Sequence, residues 1–222
     1  LSYTGLASSG GAVEFNRSGS STTLAKDIDV ALTGTPDATG DSVYFSGLLQ
    51  LGGANWASMG IRIGSTDKEI MGIGINSSGF GELRYTDSIA DPEVDVVVTA
   101  GSALSGWSSS DTVFMVGKIE NNGAGSGDDE LSLFLNPGLS SEPASATVST
   151  GVGVLGWFPS NELDLLKMEA ELVGEQPATF FDEIRIGESW SDVVVAPVPE
   201  PNTYALIFGF FALSGVMLRR RR

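Results

Sequence analysis

Short runs that alternate between apolar and polar residues recur along residues 1–195, and Gly, Ser, Asn, Asp and Pro separate these runs. The alternation is most regular in 111–119, 130–136 and 178–187. A period of two places every second side chain on one face of a β-strand. Many short strands separated by turn residues predict an all-β fold in which two antiparallel sheets pack as a sandwich.

The same alternation assigns side chains to faces. The residues expected to share one face are Val113, Met115 and Ile119 in the first run and Leu131, Leu133 and Leu135 in the second. In the third run the expected face consists of Phe180, Ile184 and Ile186. Glu183 and Arg185 would then lie on the opposite side, in water, where Arg185 pairs with Glu183 or with a neighbouring strand.

Further strands are expected at 43–51, 58–63, 69–76, 82–85 and 94–99. The segment 163–173 is ambiguous, because its Leu, Lys, Met, Glu and Ala residues favour a helix by propensity. Its apolar residues nevertheless alternate with Lys167, Glu169 and Glu171, which favours a strand. We therefore predict a strand at 163–173.

The composition excludes several chemistries. The sequence contains no cysteine and no histidine, so it has neither a thiolate nucleophile nor a Ser/His/Asp arrangement. Four of the twelve basic residues are Arg219 to Arg222, which leaves 8 basic against 27 acidic residues in 1–198, a net charge of −19. A body with this negative charge repels phosphate backbones, which excludes nucleic-acid binding. Neutral glycans and divalent cations remain compatible partners.

The C-terminal segment differs from the rest of the chain. Residues 204–218 read YALIFGFFALSGVML, and four arginines follow directly. A helix over about 203–218 would span about 25 Å at about 1.5 Å per residue, near the length that crosses a bilayer. The alternative, a buried core helix, would show a polar stripe that this segment lacks. We predict a transmembrane helix with Arg219, Arg220, Arg221 and Arg222 in the cytoplasm and the body outside.

Val198, Pro199, Glu200 and Pro201 precede this span, and the prolines prevent the helix from extending backwards. The order VPEP, apolar span, Arg cluster resembles the PEP-CTERM sorting signal of exopolysaccharide-secreting Gram-negative bacteria. The resemblance implies an exosortase partner that recognises Pro199, Glu200 and Pro201 and removes the tail. It also implies an exported protein, anchored in the inner membrane before processing and then located at the cell surface or outside the cell. We expect a signal peptide to have preceded Leu1.

The succession DTVFMVGKIE, ELSLFLNP, LDLLKMEAEL and FFDEIRIGESWSDV resembles concanavalin A-like, laminin-G-like sandwich domains. The resemblance covers residues 111–194 by motif and 1–110 by texture. It implies a jelly roll over 1–195, followed by the sorting segment 196–222, and it implies no particular chemistry.

Four tryptophans are candidates for stacking on sugar rings, and Trp157 and Trp107 are the ones we single out; packing in the core is the alternative. Trp190 is expected to pack at the edge of the closing strand. The loop 121–130 contains Asp128 and Asp129, whose carboxylates beside flexible carbonyls suit calcium, although a solvated turn needs no ion. The same alternatives hold for 87–95. No other cofactor is expected.

Paired carboxylates would indicate a glycoside hydrolase. Glu162 and Asp164 supply two acids, but the third acid expected in such a motif would fall at Leu166 or Lys167. Asp182 and Glu183 are adjacent, so as strand residues they point to opposite faces. We therefore predict a non-catalytic surface or extracellular-matrix protein that binds exopolysaccharide. A secreted carbohydrate-active enzyme of the same fold is the alternative.

Overall fold

A computed structural model describes residues 1–7, 11–15, 22–29, 40–62, 71–86, 95–122, 129–151, 165–172 and 177–195. Within these ranges the chain forms twelve strands and one short helix. The elements are β1 (Val13–Phe15), β2 (Thr22–Asp29), β3 (Ser42–Gln50), β4 (Ala54–Arg62), β5 (Met71–Asn76), β6 (Gly81–Thr86), β7 (Asp95–Thr99), β8 (Thr112–Glu120), β9 (Glu130–Leu135), β10 (Val148–Ser149), β11 (Leu165–Leu172), β12 (Thr179–Gly187) and α1 (Trp190–Val193).

The strands form two six-stranded antiparallel sheets, which confirms the predicted all-β fold. Sheet A has the order β1-β12-β3-β8-β9-β10, and sheet B has the order β2-β11-β4-β5-β6-β7. Each of the eight strands expected between 43 and 136 or at 178–187 is present, with bounds that differ by a few residues. Strand β4 differs most, since it begins at Ala54 rather than at residue 58.

The main core lies between the two sheets. It includes the two predicted sets of alternating residues: Val113, Met115 and Ile119 from β8 and Leu131 and Leu133 from β9 are buried there, and Leu135 packs against it. Sheet B contributes Met59, Met71, Ile73 and Leu83 from its inward face. Burial of these side chains is the dominant favourable contribution to folding.

The ambiguous segment is a strand, as predicted. Strand β11 lies between two partners, because it pairs along its whole length with β2 on one side and β4 on the other. Met168, Ala170 and Leu172 are buried in the core between the sheets. Tertiary pairing therefore outweighs the helix propensity of this segment.

The prediction for the faces of β12 was correct for Ile184 and Ile186, which pack against the core, but wrong for Phe180. Phe181, not Phe180, occupies the core. The register with β3 then shifts between Asp182 and Arg185, and Glu183 adopts a φ of 51°. This β-bulge adds one residue and reverses the alternation, so that Ile184 again packs against the core.

The bulge also changes the environment of the charged residues. The side chain of Glu183 is 4% exposed, so this carboxylate does not lie in water as predicted. Its predicted partner is correct, since Arg185 Nη2 lies 2.9 Å from Glu183 Oε2. Arg185 also donates a hydrogen bond to the carbonyl of Ala7.

Sheet A carries a second apolar cluster on its outer face, which the sequence analysis did not anticipate. The cluster contains Leu6, Tyr44, Leu48, Phe114, Val116, Phe134, Trp190, Val193 and Val194. Its cover comes from the N-terminal residues, from α1 and from Leu139 and Ala146. Trp190 packs edge-on against Tyr44 and Phe134, which confirms its expected packing role.

One hydrogen bond joins the segment that covers this cluster to sheet A, and a second joins the N-terminal residues to the segment after α1. Ser46 Oγ, fully buried on β3, donates to the carbonyl of Val193 at 2.8 Å. The amide of Ala7 donates to the carbonyl of Val195 at 2.9 Å. The first and last parts of the described chain therefore lie side by side on sheet A.

Within the described ranges, no helix is long and apolar enough to cross a membrane. The predicted span at about 203–218 belongs to residues 196–222, which lie outside those ranges. The transmembrane helix therefore stays a prediction.

Candidate functional site

The outer face of sheet B is polar, in contrast to that of sheet A. On β4, Ala57 and Met59 point into the core, so Trp56 and Ser58 point outwards. The same alternation applies to the neighbouring strands. We define the polar face of sheet B by six outward residues from β4, β5, β6 and β11: Trp56, Asn76, Glu82, Arg84, Glu169 and Glu171.

Two glycines keep the middle of this face free of side chains. Gly74 lies between Ser58 and Glu82 in the sheet, and Gly72 lies next to Arg84. A Cβ at Gly74 would come within 2.4 Å of the Ala57 carbonyl oxygen, so no larger residue fits there without a backbone shift. Glycine within a strand commonly marks such a close approach.

Across these glycines, Arg84 reaches from β6 to Trp56 on β4. Its guanidinium carbon lies 3.8 Å from the centroid of the Trp56 ring. This is a cation–π contact, in which the planar guanidinium stacks on the indole. The contact fixes the orientation of both side chains.

Glu82 connects Arg84 to the end of β5. Asn76 Nδ2 donates to Glu82 Oε1 at 2.8 Å, and Arg84 Nη2 donates to Glu82 Oε2 at 3.2 Å. Asn76 is itself held by its side-chain oxygen, which accepts hydrogen bonds from the amides of Ser78 and Phe80. The four residues Trp56, Asn76, Glu82 and Arg84 therefore form one preorganised network.

This network has hydrogen-bonding capacity beyond the bonds within it. A carboxylate offers about four acceptor positions and a guanidinium five N–H donors, and each group uses only part of that number here. The Arg84 side chain is 23% exposed, so its group is accessible to a ligand. Of the six residues of the face, three are acidic and one is basic, which disfavours anionic ligands.

Two carboxylates lie beside the network on β11. Glu169 is paired in register with Ser58, and Glu171 with Trp56. The two glutamates are two positions apart on one strand and therefore share a face, with Cα atoms separated by about 6.6 Å. The alternation of these glutamates is visible in the sequence, but the acid pair considered there was Glu162 and Asp164, which lies outside the described residues.

Asp182 and Glu183 do not form an open acidic pair. Asp182 Oδ2 lies 2.6 Å from the amine of Leu1, whereas Glu183 pairs with Arg185. Both residues are buried at the bulge of β12. Neither of them belongs to the polar face of sheet B.

Trp107, in the connection between β7 and β8, packs against the turn that connects β5 and β6. It is half-buried, and its Nε1 donates a hydrogen bond to the carbonyl of Ser77 at 3.2 Å. The ring packs so closely on Gly79 that a Cβ there would lie 2.5 Å from Cγ of the indole. Trp107 therefore holds the turn that positions Asn76, and its role as a glycan platform stays a prediction.

The other predicted site residues are placed as follows. Asp129 is fully buried, and in the part of the chain that the structure describes no group of three or more acidic side chains could hold a metal ion. Asp128, Trp157, the segment 87–94 and the sorting residues Pro199, Glu200 and Pro201 lie outside that part, as do Arg219 to Arg222.

The network was not found from sequence because its members come from three separate strands. The only local signal is the spacing of Glu82 and Arg84, two residues apart on one strand face. Trp56 was considered only as one of four tryptophans. The contact between Trp56 and Arg84 depends on the register of β4, β5 and β6. This register places Arg84 opposite Gly72 rather than opposite a bulky residue.

No protein-family model matches the sequence, and no curated protein matches it. Among solved structures, the chain is similar to galectin LEC-6 of Caenorhabditis elegans, with 12% identity, a TM-score of 0.39, and coverage of 77% of this chain and 94% of that one. An alginate lyase mutant in complex with alginate trisaccharide gives 12% identity, 80% coverage of both chains and a TM-score of 0.47.

The calreticulin globular domain of T. cruzi gives 11% identity and a TM-score of 0.47, with 81% of this chain and 74% of that chain covered. Similarities at these TM-scores carry no argument about function.

Proposed function

We propose that the chain is an exported, non-catalytic carbohydrate-binding protein whose polar face of sheet B holds an uncharged polysaccharide. The observation that carries the proposal is the network of Trp56, Asn76, Glu82 and Arg84, in which a guanidinium stacks on one face of an aromatic ring and is held by a carboxylate and an amide. Sugars combine hydroxyl groups with an apolar C–H face, and this pairing of groups complements both.

The preorganisation of the network supports binding. Each side chain is held by its neighbours before a ligand arrives, so little side-chain entropy is lost on association. Trp56 and Arg84 are half-buried and Glu82 is buried, so a ligand would contact mainly the indole ring and the guanidinium. The excess of carboxylates on this face and on the body as a whole favours neutral sugars over uronates.

The second part of the proposal concerns location. Pro199, Glu200 and Pro201, the apolar span and the terminal arginines support export followed by recognition by exosortase. The chain is anchored in the inner membrane before processing and reaches the cell surface or the matrix afterwards. Intact-mass analysis of the protein from its host tests this part. A polypeptide that ends near Pro199 supports it, whereas a full-length species in the inner membrane contradicts it.

A binding experiment on the full chain in detergent tests the sugar-binding part. We expect the wild type to bind a neutral glucan in affinity electrophoresis and not to bind alginate. Trp56→Ala and Glu82→Gln should each weaken glucan binding about tenfold or more, as expected for central residues of a binding site. Glu188→Gln is the matched control, because Glu188 is an exposed carboxylate outside the face.

Two results would overturn the sugar-binding part. One is the absence of binding to every neutral polysaccharide tested. The other is unchanged binding in Trp56→Ala when circular dichroism shows that the variant is folded.

A second candidate function is hydrolysis of glycosidic bonds, which one specific observation favours. Glu169 and Glu171 share the polar face beside Trp56 with Cα atoms about 6.6 Å apart, a spacing from which two carboxyl groups can reach the separation of a catalytic pair. If the protein is such an enzyme, reducing ends will accumulate from a bound oligosaccharide. Glu169→Gln and Glu171→Gln would then abolish turnover and leave binding intact.

A further inference from the structure

A cavity of about 310 Å³ lies on the opposite side of the sandwich, against the outer face of sheet A. Its floor consists of outward side chains of β8, β9 and β10, among them Lys118, Glu130 and Ser149. Residues 142–146 form one wall. The cavity adjoins the second apolar cluster, since Phe134 and Ala146 belong to both.

The wall is fastened to the sheet through Glu142. Lys118 Nζ lies 3.2 Å from Glu142 Oε1, and the Tyr44 hydroxyl donates to Glu142 Oε2 at 2.8 Å. Lys118 also forms an ion pair with Glu120, on the same strand. Because these contacts join 142–146 to β3 and β8, the cavity has fixed walls.

The side chains that line the cavity include hydroxyl groups, carboxylates and an ammonium group. Ser132 and Ser149 donate hydrogen bonds to the carboxylate of Glu130, whereas Lys118 supplies an ammonium. Ser145 lies exposed on the wall segment, and buried Phe134 adds an apolar surface. A hydroxylated ligand with an apolar ring face complements such a lining.

The protonation of Tyr44 and Lys118 points to binding rather than to proton abstraction. Burial and the hydrogen bond to Glu142 raise the pKa of Tyr44 to about 12. Burial works against the charged form of Lys118, but the hydrogen bond to Glu120 and the nearby negative charges raise its pKa overall. Both groups therefore stay protonated at neutral pH, and neither serves as a general base.

We infer that this cavity is a second carbohydrate site, which takes a single uncharged sugar residue, so that the domain binds two glycan chains at once. The inference rests on the proposed function for the class of ligand. The volume is at the small end of the range for ligand pockets, about 300 to 1,000 Å³, which favours one sugar residue over a chain segment. Three carboxylates against one ammonium exclude uronates.

The two sites lie on opposite outer faces, with both sheets between them. One polymer segment therefore cannot occupy both sites of one molecule. A protein with two such sites links separate polysaccharide chains, which is a structural role in a matrix.

Protein-observed NMR on the full chain in detergent micelles tests the inference. The probes are glucose, galactose and mannose, with glucuronate as the charged comparison. We expect at least one neutral sugar to shift the amide signals of Lys118, Ser145 and Ser149 in a saturable manner, and glucuronate to leave them unchanged.

Ser145→Trp places a large side chain at the cavity from an exposed position, and should weaken this binding about tenfold or more by filling the space. Ser141→Trp is the matched control, since Ser141 is exposed on the same segment and does not line the cavity. The inference is overturned if no neutral sugar shifts these signals, or if Ser145→Trp binds as the wild type does.

The two proposals fail separately. Trp56→Ala should weaken polysaccharide binding on sheet B about tenfold or more and leave the monosaccharide shifts at the cavity. Ser145→Trp should do the reverse. Wild-type protein should make a dilute solution of the bound glucan turbid, and each of the two variants should lose that turbidity because each retains a single site.

Discussion

The two outer faces of the sandwich differ in what covers them. On sheet A, Leu48, Phe114 and Val116 are fully buried beneath the N-terminal residues and α1. On sheet B, Arg84 is 23% exposed and Val97 45% exposed. Sheet A therefore contributes stability through both of its faces, whereas the outer face of sheet B carries polar groups.

The difference begins in the composition of the strands. Strand β8 contains the continuous apolar run 113–116, so both of its faces require burial. Strands β5 and β6 place Gly72, Gly74, Glu82 and Arg84 outwards instead. An apolar outer face requires burial, whereas the polar side chains on the outer face of sheet B satisfy one another through hydrogen bonds.

The largest effect is expected for Phe114→Ala. Phe114 is fully buried in the second cluster and its ring lies 5.3 Å from that of Tyr3. Loss of a buried phenylalanine costs about 3–5 kcal/mol of unfolding free energy, which urea denaturation measures. The folded variant should still bind glucan. A loss below about 1 kcal/mol would show that the cover of sheet A contributes little to stability.

Next in size is Arg84→Ala, which should separate binding from stability. We expect glucan affinity to fall about 10- to 100-fold, or about 1.4 to 2.7 kcal/mol, because the network loses its stacked guanidinium. The unfolding free energy should change by less than about 1 kcal/mol, since the residue is partly exposed. Isothermal titration calorimetry and urea denaturation provide the two values.

Arg84→Lys provides the matched control for that change. It keeps the charge but loses the planar group that stacks on Trp56, so it should restore little of the affinity. Full affinity in Arg84→Lys would mean that charge alone matters at this face.

A smaller effect is expected for Ser46→Ala. The substitution removes the buried hydrogen bond to the Val193 carbonyl and should cost about 0.5–1.5 kcal/mol of unfolding free energy. Ser102→Ala, at an exposed position, should change nothing. Equal stability in the two variants would show that α1 does not depend on this bond, and that the cover is held by apolar contacts alone.

The smallest effect concerns alkaline pH. Tyr44 has an ordinary pKa of 10, and the fold raises it to about 12. The folded state therefore holds the phenolic proton more tightly, so its contribution to stability is complete below pH 10 and is lost as the pH rises towards 12. Thermal melts in this window should show a decline that is shallower in Tyr44→Phe. An identical decline in both proteins would contradict the assignment to Tyr44.

Most strands could be predicted from sequence, because alternation is a local property. The core positions of Val113, Met115 and Leu133 followed directly from it. The same reasoning failed at β12, where a bulge reverses the alternation between Phe181 and Ile184. It also missed β1, β2, β10 and α1, which are short or depend on partners distant in the chain.

The members of the network could not be predicted from the sequence. Charge and the tryptophans led to the prediction of an uncharged sugar ligand, which stays a prediction, and the residues singled out, Trp107 and Trp157, are not those of the network. Trp56 and Arg84 are 28 positions apart in sequence. Register alone brings them to a ring-to-cation distance of 3.8 Å.

The all-β class, the negative charge of the body and the absence of histidine and cysteine chemistry follow from the amino-acid sequence alone. Local periodicity and composition suffice for those properties. The tertiary structure decided which outer face is covered, where β12 changes phase, and which side chains meet on sheet B. These outcomes depend on contacts between distant segments, whose geometry no local pattern encodes.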